Sequence, residues 1–101
     1  MLINKIFISD KEIEKFSKKW NIQELSLFGS ILREDFSPES DIDILISFNP
    51  KSNIDLFDLV IIQNELQNLF DRKIDVIEKE AIKNPFRKNE ILNNYRVIYA
   101  A

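Results

Sequence analysis

Apolar residues recur along this chain with two different periods, and the switches between them mark the elements. Ile13, Phe16 and Trp20 stand three and four apart, the spacing of one helix face. Ser9 and Glu12 just upstream form a capping-box pair and predict a first helix of about ten residues. Leu25-Ser26-Leu27-Phe28 reads as a short strand stopped by Gly29, with a helical or turn segment over Ile31–Asp35 and a loop at Ser37-Pro38-Glu39-Ser40. Over Asp41–Phe48 the period falls to two: Ile42, Ile44, Ile46 and Phe48 share one face, and Leu45 makes the other partly apolar. That pattern predicts a central strand. Ser52 and Asp55 form a second capping-box pair, predicting a helix to about Phe70 with Leu56, Leu59, Val60, Leu66 and Leu69 as its buried stripe. Lys73–Glu78 reads as a strand and Asn84-Pro85 as the start of a helix ending near Asn93. Tyr95–Tyr99 reads as a terminal strand. The order predicts an α/β fold, a small mixed sheet with helices packed on one face. No linker-like stretch or repeat interrupts it, so residues 1–101 are expected to form a single domain.

Composition narrows the chemistry more than the fold. A 45% hydrophobic and 31% charged chain of 101 residues has enough apolar surface for a core. It contains no cysteine and no histidine, which removes disulfides, thiolate nucleophiles, zinc–thiolate sites and the commonest general base. Carboxylates, hydroxyls, lysines, arginines and hard metal ions remain. Net charge is −3, which argues against a nucleic-acid-binding face. Met1–Ile8 is apolar but broken by Asn4-Lys5, and no run reaches the roughly 20 residues of a membrane span. A cytoplasmic setting without membrane contact is expected.

The one glycine of the chain, Gly29, lies between a strand and Ser30. A glycine there serves either a positive φ or close approach by a bulky group, and a phosphate fits the second need. The plainer reading is a turn that ends a strand. Asp41 and Asp43 stand two apart at the start of the central strand, so both carboxylates leave the same face with Cα atoms roughly 6.5–7 Å apart. Side chains leaning together can share a hard cation such as magnesium; the plainer reading is a solvated strand end. Asp75, framed by Ile74 and Val76, also lies opposite a buried face, and meets the other two acids if its strand is a neighbour.

Gly29-Ser30, ten intervening residues and Asp41-Ile42-Asp43 together resemble the signature of the polymerase-beta-like nucleotidyltransferases. More narrowly, they resemble the minimal nucleotidyltransferases that act as antitoxins beside HEPN-domain toxins. Four such fixed positions recur by accident in about one chain in a thousand of this length. The resemblance continues through Arg72-Lys73-Ile74-Asp75-Val76 and the tail from Glu90-Ile91-Leu92 to Tyr99. It departs at Leu32-Arg33-Glu34, where the family often has a small residue, arginine and a second glycine.

The resemblance implies adenylyl transfer from ATP with loss of pyrophosphate. Asp41, Asp43 and Asp75 would be the catalytic residues, holding two Mg2+ ions, and Gly29, Ser30 and Arg33 the nucleotide contacts. It also implies a HEPN-type toxin as partner, modified on a tyrosine within a homo- or hetero-oligomer; the chain's length leaves no room for an acceptor domain of its own. The alternative is a non-catalytic antitoxin that neutralises its partner by contact alone.

Overall fold

The computed structural model describes residues 1–101. Helix α1 (Asp10–Lys19) starts where Ser9 accepts from the Glu12 amide and buries Ile13 and Phe16. Strand β3 (Ile22–Phe28) begins earlier than its hydrophobic pattern suggests. Two short strands, β1 (Leu2–Ile3) and β2 (Ile6–Phe7), precede α1 as a hairpin that the sequence pattern does not announce. Its turn runs through Asn4 and Lys5, both left-handed at φ 48° and 68°.

Strand β4 (Ile42–Phe48), helix α2 (Leu56–Phe70), strand β5 (Ile74–Glu78), helix α3 (Pro85–Asn93) and strand β6 (Tyr95–Ala100) follow as expected. The main sheet has the order β5-β4-β3-β6. β4 pairs parallel with β5 and antiparallel with β3, and β6 closes the other edge antiparallel to β3. The sheet is mixed and β4 is central. A right-handed crossover between parallel neighbours needs a helix, and α2 supplies the connection.

One face of the sheet carries the main core. Ile13 and Phe16 of α1, Ile62, Leu66 and Phe70 of α2, and the inward positions Leu25, Leu27, Ile42, Ile44, Ile46 and Ile74 pack together there. The expected helical layer holds for α1 and α2. Helix α3 instead lies on the opposite face, where Ile91 packs against Phe28 and Leu45. The sheet therefore has a helix on each side.

Two details of α2 differ from the sequence pattern. The capping box is Asp55 with Asp58, not Ser52 with Asp55: the Asp58 amide donates to Asp55 and the Asp55 amide donates to Asp58. Ser52 points its hydroxyl toward the Asn21 carbonyl, at 3.4 Å. The buried stripe is Ile62, Leu66 and Phe70, with Leu59 and Leu69 half-buried, while Leu56 and Val60 are 75% and 56% exposed. The first half of this helix is apolar on nearly every side, so its period alone does not select a face.

Candidate active site

Four residues line up across one end of the sheet. Asp75 of β5 pairs with Asp43 of β4, Asp43 with Phe28 of β3, and Phe28 with Tyr95 of β6. Residues in register share a face, so this row lies on the α3 side, away from the buried Ile42, Ile44 and Ile74. The Ile42 amide donates to the Lys73 carbonyl at 3.0 Å, which fixes the starts of β4 and β5 side by side. Neighbouring strands run roughly 4.8 Å apart, so Asp43 and Asp75 meet on adjacent strands. Asp41 joins them from the residue before β4.

The electrostatics follow from this crowding. Burial pushes the Asp43 carboxyl above the ordinary carboxylate range, and the charges of Asp75 and Asp41 push it further. The guanidinium groups of Arg33 and Arg87 oppose that shift. Three acids gathered so near one another favour a cation. Their oxygen donors and placement suit magnesium, although no three acidic side chains already surround a common point closely enough to cage an ion. The fit is therefore one of donor chemistry and register.

Gly29 meets both needs that its sequence context raised. Its φ is +74°, and a Cβ there would lie 2.2 Å from Asp43 Oδ2. The bulky group pressed against it is thus the Asp43 carboxylate, not only an incoming ligand. A left-handed backbone without a side chain lets the acid and the loop share one space. Gly29–Leu32 forms a single 3-10 turn, and a bend and turn continue it through Asp35, within the helical or turn segment expected over Ile31–Asp35. Ser30 Oγ lies 3.5 Å from the Asp41 carbonyl, at the outer limit of a hydrogen bond. Arg33 leaves the turn in an extended conformation and pairs with Asp35 at 3.1 Å. Glu34 is exposed and is not left-handed, so the missing second glycine imposes no backbone strain.

Two supports for this loop and one cavity beside it have no signal in the sequence pattern. Arg72 lies 4.7 Å from the Phe36 ring centre and donates to the carbonyls of Ser37 and Ser40. It clasps the segment that delivers Asp41. Asn4 in the N-terminal turn donates to the Ile31 carbonyl at 3.1 Å and the Arg33 carbonyl at 2.8 Å, holding the end of the 3-10 turn from outside. Finally, a cavity of about 260 Å³ opens between Gly29 and α3, lined in part by Phe28, Arg33, Arg87, Glu90 and Ile91. Ile91 is the only buried position of α3, so the sequence pattern carried no signal for the face this helix covers.

The comparisons agree with this geometry. The sequence model of the nucleotidyltransferase domain matches residues 10–98. A Methanocaldococcus jannaschii protein, provisionally named protein adenylyltransferase MJ1217, is 37% identical over 89 residues, covering 88% of this chain and 87% of that protein. A solved toxin–antitoxin structure with AMP-PNP superposes with a TM-score of 0.73 at 17% identity, covering 93% of this chain and 75% of that one. A Shewanella oneidensis complex of a tri-AMPylated HEPN toxin with its MNT antitoxin gives 0.65 at 17% identity, covering 91% and 70%. At such identities these two structures speak for the fold alone. The family model spans most of the chain and the relative is more than 30% identical over 88% of it, so the chain belongs to the nucleotidyltransferase domain family.

Proposed function

We propose that this protein is a magnesium-dependent protein adenylyltransferase that moves AMP from ATP to a tyrosine of a HEPN-type toxin, acting as its antitoxin. The observation that carries the reading is the parallel register of Asp43 with Asp75, with Gly29 pressed against the Asp43 carboxylate. The named relative and the toxin–antitoxin structures supply the acceptor class.

Asp41 and Asp43 would hold the metal shared with the triphosphate, and Asp75 the one nearer the acceptor. Bound magnesium would neutralise the triphosphate and favour in-line attack at the α-phosphorus. Gly29 offers its backbone N–H without a side chain in the way, and Ser30 its hydroxyl, to seat phosphate oxygens. Arg33 faces the same space with a fixed positive charge. The acceptor phenol oxygen bonds to the α-phosphorus as the bond to the β-phosphate oxygen breaks and pyrophosphate leaves. Asp75, exposed at the edge of the row, would take the phenol proton. None of the three helices is long and apolar enough to cross a membrane, and a cytoplasmic site of action fits this chemistry.

The test is incubation with ATP, magnesium and a HEPN-type toxin, followed by intact-mass measurement of the toxin. Addition of one or more AMP units to a tyrosine is the expected result. The Asp41→Asn/Asp43→Asn variant should still bind the toxin but leave it unmodified and active. If that variant neutralised the toxin as well as the natural protein, neutralisation would be by contact and the catalytic reading would fail.

A further inference from the structure

Arg87 is the cation that the sequence motif leaves out. It stands on α3, three residues past the Asn84 cap, and lines the cavity beside Gly29 together with Arg33. The two guanidinium groups differ in one respect. Arg33 is tied to Asp35 by a 3.1 Å contact. Arg87 has no carboxylate within ion-pair distance, although Glu90 lies one turn further along the same helix. Arg87 lines the same cavity as Gly29, the residue against which the Asp43 carboxylate is pressed, and its charge opposes the upward shift of that carboxyl.

Two like charges brought to one cavity repel unless an anion lies between them. Asp41, Asp43 and Asp75 do not line the cavity, and Glu90, which does, makes no ion pair with either arginine. Guanidinium groups present flat, paired donors that match phosphate oxygens better than an ammonium does. We infer that Arg87 is a phosphate-binding residue, gripping the polyphosphate tail of the nucleotide from the α3 side while Gly29 and Ser30 hold it from the sheet side. The inference rests on the nucleotide reading of the site and adds to it a residue from a different element. In the transfer step the tail departs as pyrophosphate, and a fixed cation there balances charge that builds on the leaving oxygen. Helix α3 packs on the sheet mainly through Ile91, and its Asn84 cap with Pro85 at the first turn fixes where Arg87 sits.

The experiment measures nucleotide binding in magnesium buffer with no acceptor present, so no transfer confounds it. For Arg87→Ala the affinity for ATP should fall about tenfold, the effect of one charge-assisted hydrogen bond. The affinity for AMP should change by less than about twofold, because the tail is absent. Arg87→Lys should recover part of the loss for ATP. Lys88→Ala, the neighbouring exposed cation outside the cavity, should change neither. Equal losses for ATP and AMP, unchanged ATP affinity in Arg87→Ala, or an equal loss in Lys88→Ala would each overturn the inference. If the natural protein bound neither nucleotide, the nucleotide reading itself would fall, and this inference with it.

Discussion

The two faces of the sheet are built on opposite principles. On the α1/α2 side the buried positions are apolar except Ser17 of α1, and Ile42, Ile44, Ile46, Ile62 and Leu66 have no solvent exposure at all. On the α3 side only Phe28, Leu45 and Ile91 are buried apolar residues, with Ile77, Ile82, Leu92 and Tyr95 partly buried against them, and the end of that face near Gly29 carries acids, arginines and an open cavity. Strand β4 serves both faces, its even-numbered isoleucines going to the core and its odd-numbered Asp43 to the site. A side-chain period of two lets one strand be anchor and scaffold at once. The comparison teaches that the site can hold unfavourable contacts because the other face supplies the stability.

The strongest way to sharpen that comparison is to change charge on the site face and measure both properties. Asp43→Asn keeps shape but removes a carboxylate crowded by Asp75 and Asp41. Transfer to the toxin should fall about a thousandfold or more, since several kcal/mol of metal-assisted stabilisation are lost. Stability of the metal-free protein should rise. The sign follows from the raised carboxyl: the folded state holds its proton more tightly than the unfolded state does. Asp43 therefore weakens the fold as pH climbs from the unfolded value through the folded one, and the penalty is fully present above the folded value. Thermal melting with EDTA checks this, and a melting temperature below that of the natural protein would contradict it. Added magnesium should then raise the melting temperature of the natural protein more than that of the variant.

The reverse experiment is made in the core. Leu66→Ala removes a fully buried side chain between α2 and the sheet and should cost about 2–5 kcal/mol. Denaturant unfolding reads the loss. At temperatures where the variant is still folded, transfer per folded molecule should stay close to normal, because the site faces the other way. A parallel collapse of activity in fully folded Leu66→Ala would show that the two faces are not separable.

Gly29→Ala probes the seam between the faces. A methyl group there meets both a left-handed φ and the Asp43 carboxylate. The backbone term alone is about 1–2 kcal/mol, and the carboxylate must also rotate away. Transfer should fall at least about tenfold, with a stability loss of roughly 1 kcal/mol or more. Retained activity at normal stability would mean that the site does not depend on this contact.

The sequence was most legible where period and chemistry coincide. The two-residue pattern of Asp41–Phe48 announced the central strand and the shared face of its acids, and Ile74-Asp75-Val76 announced the matching position on β5. Register between those strands was not readable, since pairing is set by contacts far apart in the chain. Helix α2 hid its face because Leu56, Phe57, Leu59, Val60, Ile61 and Ile62 leave no polar side to exclude. Helix α3 went to the unexpected face because a single buried residue, Ile91, carries no period. Arg72 and Asn4 were invisible for a related reason: each acts through main-chain carbonyls more than twenty residues away, and carbonyls leave no trace in a side-chain pattern.

The N-terminal hairpin gives the finest cut. Its strands have two residues each, too short to stand without support, yet Asn4 ties it to the turn that carries Gly29 and Ser30. Ile3 and Ile8 are buried in the main core, so the hairpin is seated by the stable face while its polar tip holds the chemical one. Asn4→Ala removes both hydrogen bonds and a side chain that tolerates the left-handed turn. The expected stability loss is about 0.5–1.5 kcal/mol. Transfer should weaken several-fold through poorer ATP binding, with turnover at saturating ATP nearly unchanged, because the acids stay in place. Asn4→Gly restores the backbone preference but not the hydrogen bonds, so it should recover part of the stability and little of the ATP affinity. Full recovery of both in Asn4→Gly would assign Asn4 to the turn alone and leave the phosphate loop standing without it.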